Sequence, residues 1–214
     1  MTLQLCAGTL ESYRARTLGS AGAEDGESPD RSAATRDWRA RVDAALAAHG
    51  IAVEAMPADA ATVSAELGRS AYGALVLWAA YCEQPQLARP ALEPLEWHKD
   101  IALARCLADG FRSAFPTLVH GVELWVPGND WVLFDLPGPA GDDVPSGTVG
   151  ALTAELDALN ASTWRASRTD SLAWREDVDP ESALLADLAR RGFAIVRGLA
   201  DHAAESRLAL WLDY

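Results

Sequence analysis

Lysine is nearly missing from this chain. Lys99 is the single one in 214 residues, and arginine supplies the rest of the 18 basic side chains. Against them stand 31 aspartates and glutamates, a formal net charge of -13. So few cations argue against nucleic acid as a partner, because affinity for phosphates rests on Lys and Arg displacing counterions. Anionic membrane surfaces are disfavoured for the same reason. A basic protein partner is what the balance favours.

Cysteine is scarce too. Cys6, Cys82 and Cys106 are odd in number, form no CxxC and sit in apolar surroundings. They read as small buried hydrophobes in a reducing compartment. Long hydrophobic runs are absent: the longest, Ala71 to Tyr81, falls well short of the ~20 residues that span a bilayer. The N-terminal MTLQLCAGTL has no basic n-region, so no signal peptide is expected and the expected location is cytoplasmic.

Catalytic signatures are also missing. There is no GxSxG elbow, no HExxH and no Cys/His zinc spacing. The stretch VPSGTVGAL from Val144 resembles a phosphate loop but lacks its lysine. No metal, no cofactor and no catalytic residue is expected, and the enzyme question leans towards no.

What is present is an ordinary folding composition, 50% apolar and 23% charged. A chain of this length suits one domain and buries roughly 70% of its unfolded surface. A single globular domain over residues 1–214 is expected, with a mobile acidic loop at about 17–34 around Glu24, Asp25, Glu27 and Asp30. The N-terminal residues 2–10 alternate and predict a strand. Thr35 is placed to cap a helix carrying Trp38, Val42 and Leu46. A helix is expected from about Ala60 to Glu83 and another from Pro94 through Leu107. The runs TLVHGVELWV and WVLFDL flank Pro127-Gly128-Asn129-Asp130 and predict a β-hairpin near 117–136. Ser146 is placed to cap a helix over Val149 to Leu159, and a long last helix precedes a terminal strand, LALWLDY. The predicted class is α+β, with helices packed on one face of an antiparallel or mixed sheet.

Candidate functional residues are few. In EWHKD, Glu96, His98 and Asp100 place carboxylates beside an imidazole, a proton-transfer arrangement, with a solvated helix face as the plainer reading. His120 and Glu123 project to opposite faces of a strand, and His202 with Glu205 reads as a surface ion pair. Trp125 and Trp131 flank the predicted turn beside Glu123, Asp130 and Asp135. Aromatic rings next to acids suit a surface for a cationic partner. The expected partner-binding residues are Glu93, Glu96, Asp100, Glu123, Trp125, Asp130, Trp131, Asp142 and Asp143.

Three segments carry a resemblance: Phe115 to Pro137, Val144 to Asn160, and Arg191 to Tyr214. Their pattern of apolar spacings and turns resembles uncharacterised bacterial proteins similar to immunity proteins of polymorphic-toxin systems. The resemblance implies a cytoplasmic protein that binds a partner protein, and it carries over no catalytic residue. The expected function is therefore a protein-binding module, an immunity or antitoxin-like inhibitor whose acidic, Trp-containing face meets a basic partner such as a toxin or pathway enzyme. The alternative is an enzyme or accessory subunit of a biosynthetic or modification pathway using His98 and Asp100, with His120 brought close by the fold.

Overall fold

The computed structural model describes residues 2–19, 29–51, 56–57, 60–108, 112–130, 133–179 and 182–214, with the backbone alone for 29–32. Strand β1 (Gln4–Gly8) leads into helices α1 (Leu10–Thr17) and α2 (Pro29–Ala48). Strand β2 (Val63–Glu66) precedes α3 (Arg69–Glu83). A 3-10 turn (Trp97–Lys99), α4 (Ile101–Ala108) and the short α5 (Pro116–Val119) follow. Then come β3 (Leu124–Val126), β4 (Phe134–Pro137) and β5 (Asp143–Thr148). Helices α6 (Val149–Ser162), α7 (Arg168–Asp177) and α8 (Leu185–Ser206) run on to β6 (Ala209–Asp213).

The strands form one six-stranded mixed sheet in the order β2-β1-β6-β3-β5-β4. The fold is α+β, as the alternation of helical and strand patterns predicts. All neighbours are antiparallel except β3 and β5. Alternation along each strand splits the side chains between two cores. Leu5, Ala7, Trp125, Leu210 and Leu212 face the larger core, beneath α3, α4, α5, α6 and α8. Cys6, Leu124, Val126, Ala209 and Trp211 face a smaller core, where α1 and α2 seat Tyr13, Trp38, Val42 and Leu46. Helices therefore cover both faces of the sheet rather than one. Of the expected loop at 17–34, residues 29–34 are instead the start of α2, with Pro29 in its first turn, and Thr17 ends α1; residues 20–28 lie outside the described residues.

The predicted hairpin is corrected. Its two strands exist, but each pairs with β5, which lies between them. Leu124 to Val126 run parallel to Ser146 to Thr148, while Phe134 to Pro137 run antiparallel to β5. The tight connection is instead Gly138 to Asp142, closed by Gly138 N donating to the Asp142 carbonyl at 2.6 Å, with Gly141 at φ +94°. Residues VPSGT read as a loop because Pro, Ser and Gly are poor strand formers. In the sheet they are what fits. A Cβ on Gly147 would lie 3.0 Å from the Thr117 methyl and 3.5 Å from the Trp125 ring, so the glycine leaves room for both side chains. Ser146 is consequently a strand residue, and Thr148 caps α6 by accepting from Ala151 N at 3.1 Å. The expected helix start near Ala60 is likewise strand β2, and the expected helix from Pro94 starts at Ile101.

The largest helix contact joins α3 to α8. A Cβ on Gly192 would run into the Ala71 carbonyl oxygen, so the two backbones touch at that point. Ion pairs lock α8 to its other neighbours. Arg197 pairs with Asp157 of α6 and, at 2.8 Å, with Asp201 of its own helix; Arg168 of α7 reaches Asp201 at 3.1 Å. Arg168 also takes Glu205 at 3.4 Å, in place of the expected His202.

Glu155 of α6 is wholly buried. It accepts from Thr117 N at 2.9 Å, Leu118 N at 3.2 Å and Thr117 Oγ1 at 3.0 Å, which satisfies the first turn of α5. Burial outweighs those bonds and pushes its carboxyl up to about 8.

Two outcomes are expected. Gly192→Ala forces the helices apart and destabilises the fold by about 1–3 kcal/mol in urea unfolding; an unchanged midpoint would contradict the contact. Between an ordinary carboxylate value and about 8, folded Glu155 keeps a proton that the unfolded chain has released. Its stabilising share is thus complete at low pH and is lost as pH rises through about 8. Glu155→Gln should flatten the fall in stability between pH 5 and 8, read from melting curves at the two pH values.

Candidate functional site

Prolines 85, 90 and 94 keep the segment after α3 out of a helix. Backbone bonds tie it to the start of α8: Glu93 N donates to the Ala183 carbonyl and Leu185 N to the Ala91 carbonyl, both at 3.0 Å. Leu92 and Leu184 form a bridge there. The chain then turns Trp97 inward. Its indole lies flat against α3 at Gly73, where a Cβ would sit 2.5 Å from Nε1, and meets Tyr72 edge-on at 6.2 Å between ring centroids. Asp100 closes the turn. Its carboxylate accepts from Ala102 N at 2.8 Å, capping α4, and from the Tyr81 hydroxyl at 3.0 Å.

Trp97 forms one wall of a cavity of about 320 Å³. The floor is buried and apolar: Leu3, Val76, Leu118 and Val119, with Tyr72 among them. The mouth carries Arg69, His98, Gly121, Glu123 and Tyr214. Strand pairing sets Glu123. Its backbone N donates to Pro145 at 2.9 Å and its carbonyl accepts from Leu212 N at 3.0 Å. Glu123 itself is half-buried.

The polar groups of the cavity are poorly paired. Tyr214 donates its hydroxyl to Glu123 at a long 3.5 Å. Burial raises the Glu123 carboxyl, the bond from Tyr214 opposes this, and the Asp142 charge adds to it. Burial and Glu123 together push the Tyr214 hydroxyl up to about 12. The Tyr72 hydroxyl is buried without a hydrogen-bond partner, and burial followed by the charges of Tyr214 and Glu123 raises it strongly. Arg69 is exposed and belongs to none of the ion pairs among the described residues.

The structure divides the expected partner-binding residues. Glu93 is half-buried and Glu96 exposed, the latter paired with Lys99 at 2.6 Å. Asp100 is engaged as a cap. Glu123 reaches the cavity, and exposed Asp142 and Asp143 lie at the same end of the sheet. Exposed Asp130 lies past the other end of β3, where its carbonyl accepts from Thr148 Oγ1 at 2.8 Å. Trp125 is a correction: at 1% exposure it is core, packed over Gly147 beneath the helices, so its ring offers nothing to a partner. Trp131 lies outside the described residues.

His98 and His120 do not converge. His98 lines this cavity, while His120 lines another hollow with Val122, Leu133, Phe134 and Ser146. Among the described residues no group of three or more His, Cys, Asp or Glu could hold a metal ion. Sequence reading missed Arg69, Tyr72, Trp97 and Tyr214. The one local signal was Gly73, a helix-weakening residue inside an apolar helical run, which marks a close approach.

Gly73→Ala is expected to lift Trp97 from α3 and reshape the cavity. The indole N–H resonance of Trp97, identified by its loss in Trp97→Phe, should shift while the other indole resonances largely stay. An unmoved Trp97 resonance would contradict this packing.

No family model matches this chain, and no curated protein or solved structure matches it.

Proposed function

We propose that this chain is a protein-binding module for a basic partner, acting as an immunity or antitoxin-like inhibitor. The observation that carries it is the segment before α4. Leu92 is 58% and Leu95 103% exposed, Leu184 beside Leu92 is 48% exposed, and Glu93 and Glu96 alternate with these leucines. Large apolar side chains held out in water beside acids have the composition of an interface: apolar anchors with a charged rim. Backbone bonds to the Ala183–Leu185 stretch hold part of the segment in place beforehand, which lowers the ordering cost of docking. The net charge of -13 attracts a basic partner over distance, and the local acids set its register.

Glu123, Asp142 and Asp143 extend the negative surface at the end of the sheet. Asp130 and Trp125 have no part in this face. The enzyme alternative needs His98, Asp100 and His120 in one hollow, and no observation favours it.

Co-expression with the products of neighbouring genes tests the proposal. A complex is expected with one of them, together with protection from its toxicity. Leu95→Asp should weaken that complex by roughly tenfold or more, and Glu93→Lys with Glu96→Lys should slow association most at low salt. No complex and no protection with any neighbour would overturn the proposal, as would a complex indifferent to these substitutions. A self-dimer abolished by Leu95→Asp would assign the face to a second copy of this chain instead.

A further inference from the structure

We propose that the cavity walled by Trp97 binds a small primary amine, an ammonium on an apolar tail about the size of a phenylethyl group. This inference is independent of the protein-binding reading. The group that selects the ligand's charge is Glu123. Its carboxylate is half-buried at the mouth and belongs to none of the ion pairs among the described residues. The one side-chain hydrogen bond it takes there is the long 3.5 Å bond from Tyr214. A carboxylate drawn part-way out of water is costly to leave without a cation. An ammonium supplies the cation together with N–H donors, in a charge-assisted bond. The raised Glu123 carboxyl agrees with a group that no cation stabilises. Two basic side chains, Arg69 and His98, stand at the same mouth, but both are exposed, so water solvates them and they call for no partner. Burial therefore sets the sign of the ligand, and the buried member is the acid.

The order of chemistry along the cavity sets the tail. The charged groups stand at the mouth, and behind them lie Leu3, Val76, Leu118 and Val119, buried and apolar, with the Trp97 ring as a wall. A ligand must enter with its apolar end first and keep its ammonium at the mouth. The side chain of a lysine or arginine enters the other way round. It would carry its charge to the apolar floor, so a basic side chain of a partner protein fits this cavity poorly. The Trp97 indole suits an aromatic tail, and the face of its ring also attracts a nearby cation. About 320 Å³ lies at the lower end of the volumes that hold small molecules, which suits a ligand of this size.

The test titrates the full chain with 2-phenylethylamine, following the Trp97 indole resonance and calorimetric heat. Saturable binding is expected. 2-Phenylethanol keeps the shape without the charge, and 3-phenylpropionate reverses the charge; each should bind roughly tenfold or more weakly than the amine. 1,5-Diaminopentane should bind as weakly as these, because its second ammonium meets the apolar floor. Glu123→Gln keeps the side-chain shape and removes the charge. It should weaken the amine by roughly tenfold while leaving the melting temperature near wild type. Arg69→Gln removes a like charge from the mouth and should tighten the amine, most at low salt. Absence of any saturable shift of Trp97 up to the millimolar range overturns the proposal. So does binding unchanged in Glu123→Gln, binding weakened in Arg69→Gln, or 2-phenylethanol binding as well as the amine. L-Phenylalanyl-glycinamide carries the same ring and ammonium on a peptide and should bind no more tightly. If it binds more tightly, the site takes a peptide N-terminus and the proposal is likewise overturned. Loss of the partner complex with amine binding intact would count only against the protein-binding reading.

Discussion

The contact between α3 and α8 organises the molecule. Gly192 lets the backbone of α8 touch that of α3 at Ala71, and a side chain larger than hydrogen has no room there. Because the approach is backbone to backbone, it brings the helices closer at that point than two facing side chains would allow. Helix α3 in turn presents Tyr72 and Val76 to the cavity, and through Gly73 it supports Trp97. Helix α8 receives the 91–93 stretch at its N-terminus and runs on to β6, whose last neighbour, Tyr214, lies at the cavity mouth. The segment before α4 and the cavity thus hang from the same pair of helices.

Charge is distributed by use rather than uniformly. Some acids are structural: Asp100 caps α4, Glu155 closes the first turn of α5, and Asp157 and Asp201 hold Arg197. Others, such as Asp142 and Asp143, are exposed and belong to none of the ion pairs among the described residues. The excess free of such duties is therefore smaller than -13 suggests, and the proposed partner face draws on the part of it around Glu93, Glu96 and Glu123. Glu155 shows the opposite extreme, a carboxyl so far removed from water that three hydrogen bonds do not restore its ordinary acidity.

Helical faces were legible in the sequence. The spacing of Trp38, Val42 and Leu46 and the apolar Ala71–Tyr81 run both mark helices whose side chains are buried. The first strand was legible by alternation and the last as a short apolar run after a long helix. Strand β5 was not, because its Pro, Ser and Gly are chosen for close neighbours and not for intrinsic strand preference. Of the site, Glu96, His98 and Glu123 were singled out, but as parts of a helix face and a hairpin face. Tyr72 read as core, which its exposure supports.

By itself the sequence determined the acidity, the α+β class, the buried faces of the longer helices and the scarcity of catalytic motifs. These follow from composition and from periodicities that repeat within a few residues, so no distant contact is needed to read them. Tertiary structure alone decided that β5 enters between β3 and β4 and that Trp125 is buried. It also decided that Arg69, Tyr72, Trp97, Glu123 and Tyr214 share one cavity. Those outcomes depend on which segments far apart in the chain pair and cover each other. Local preference carries no record of a neighbour that is small enough, or absent, on the other side.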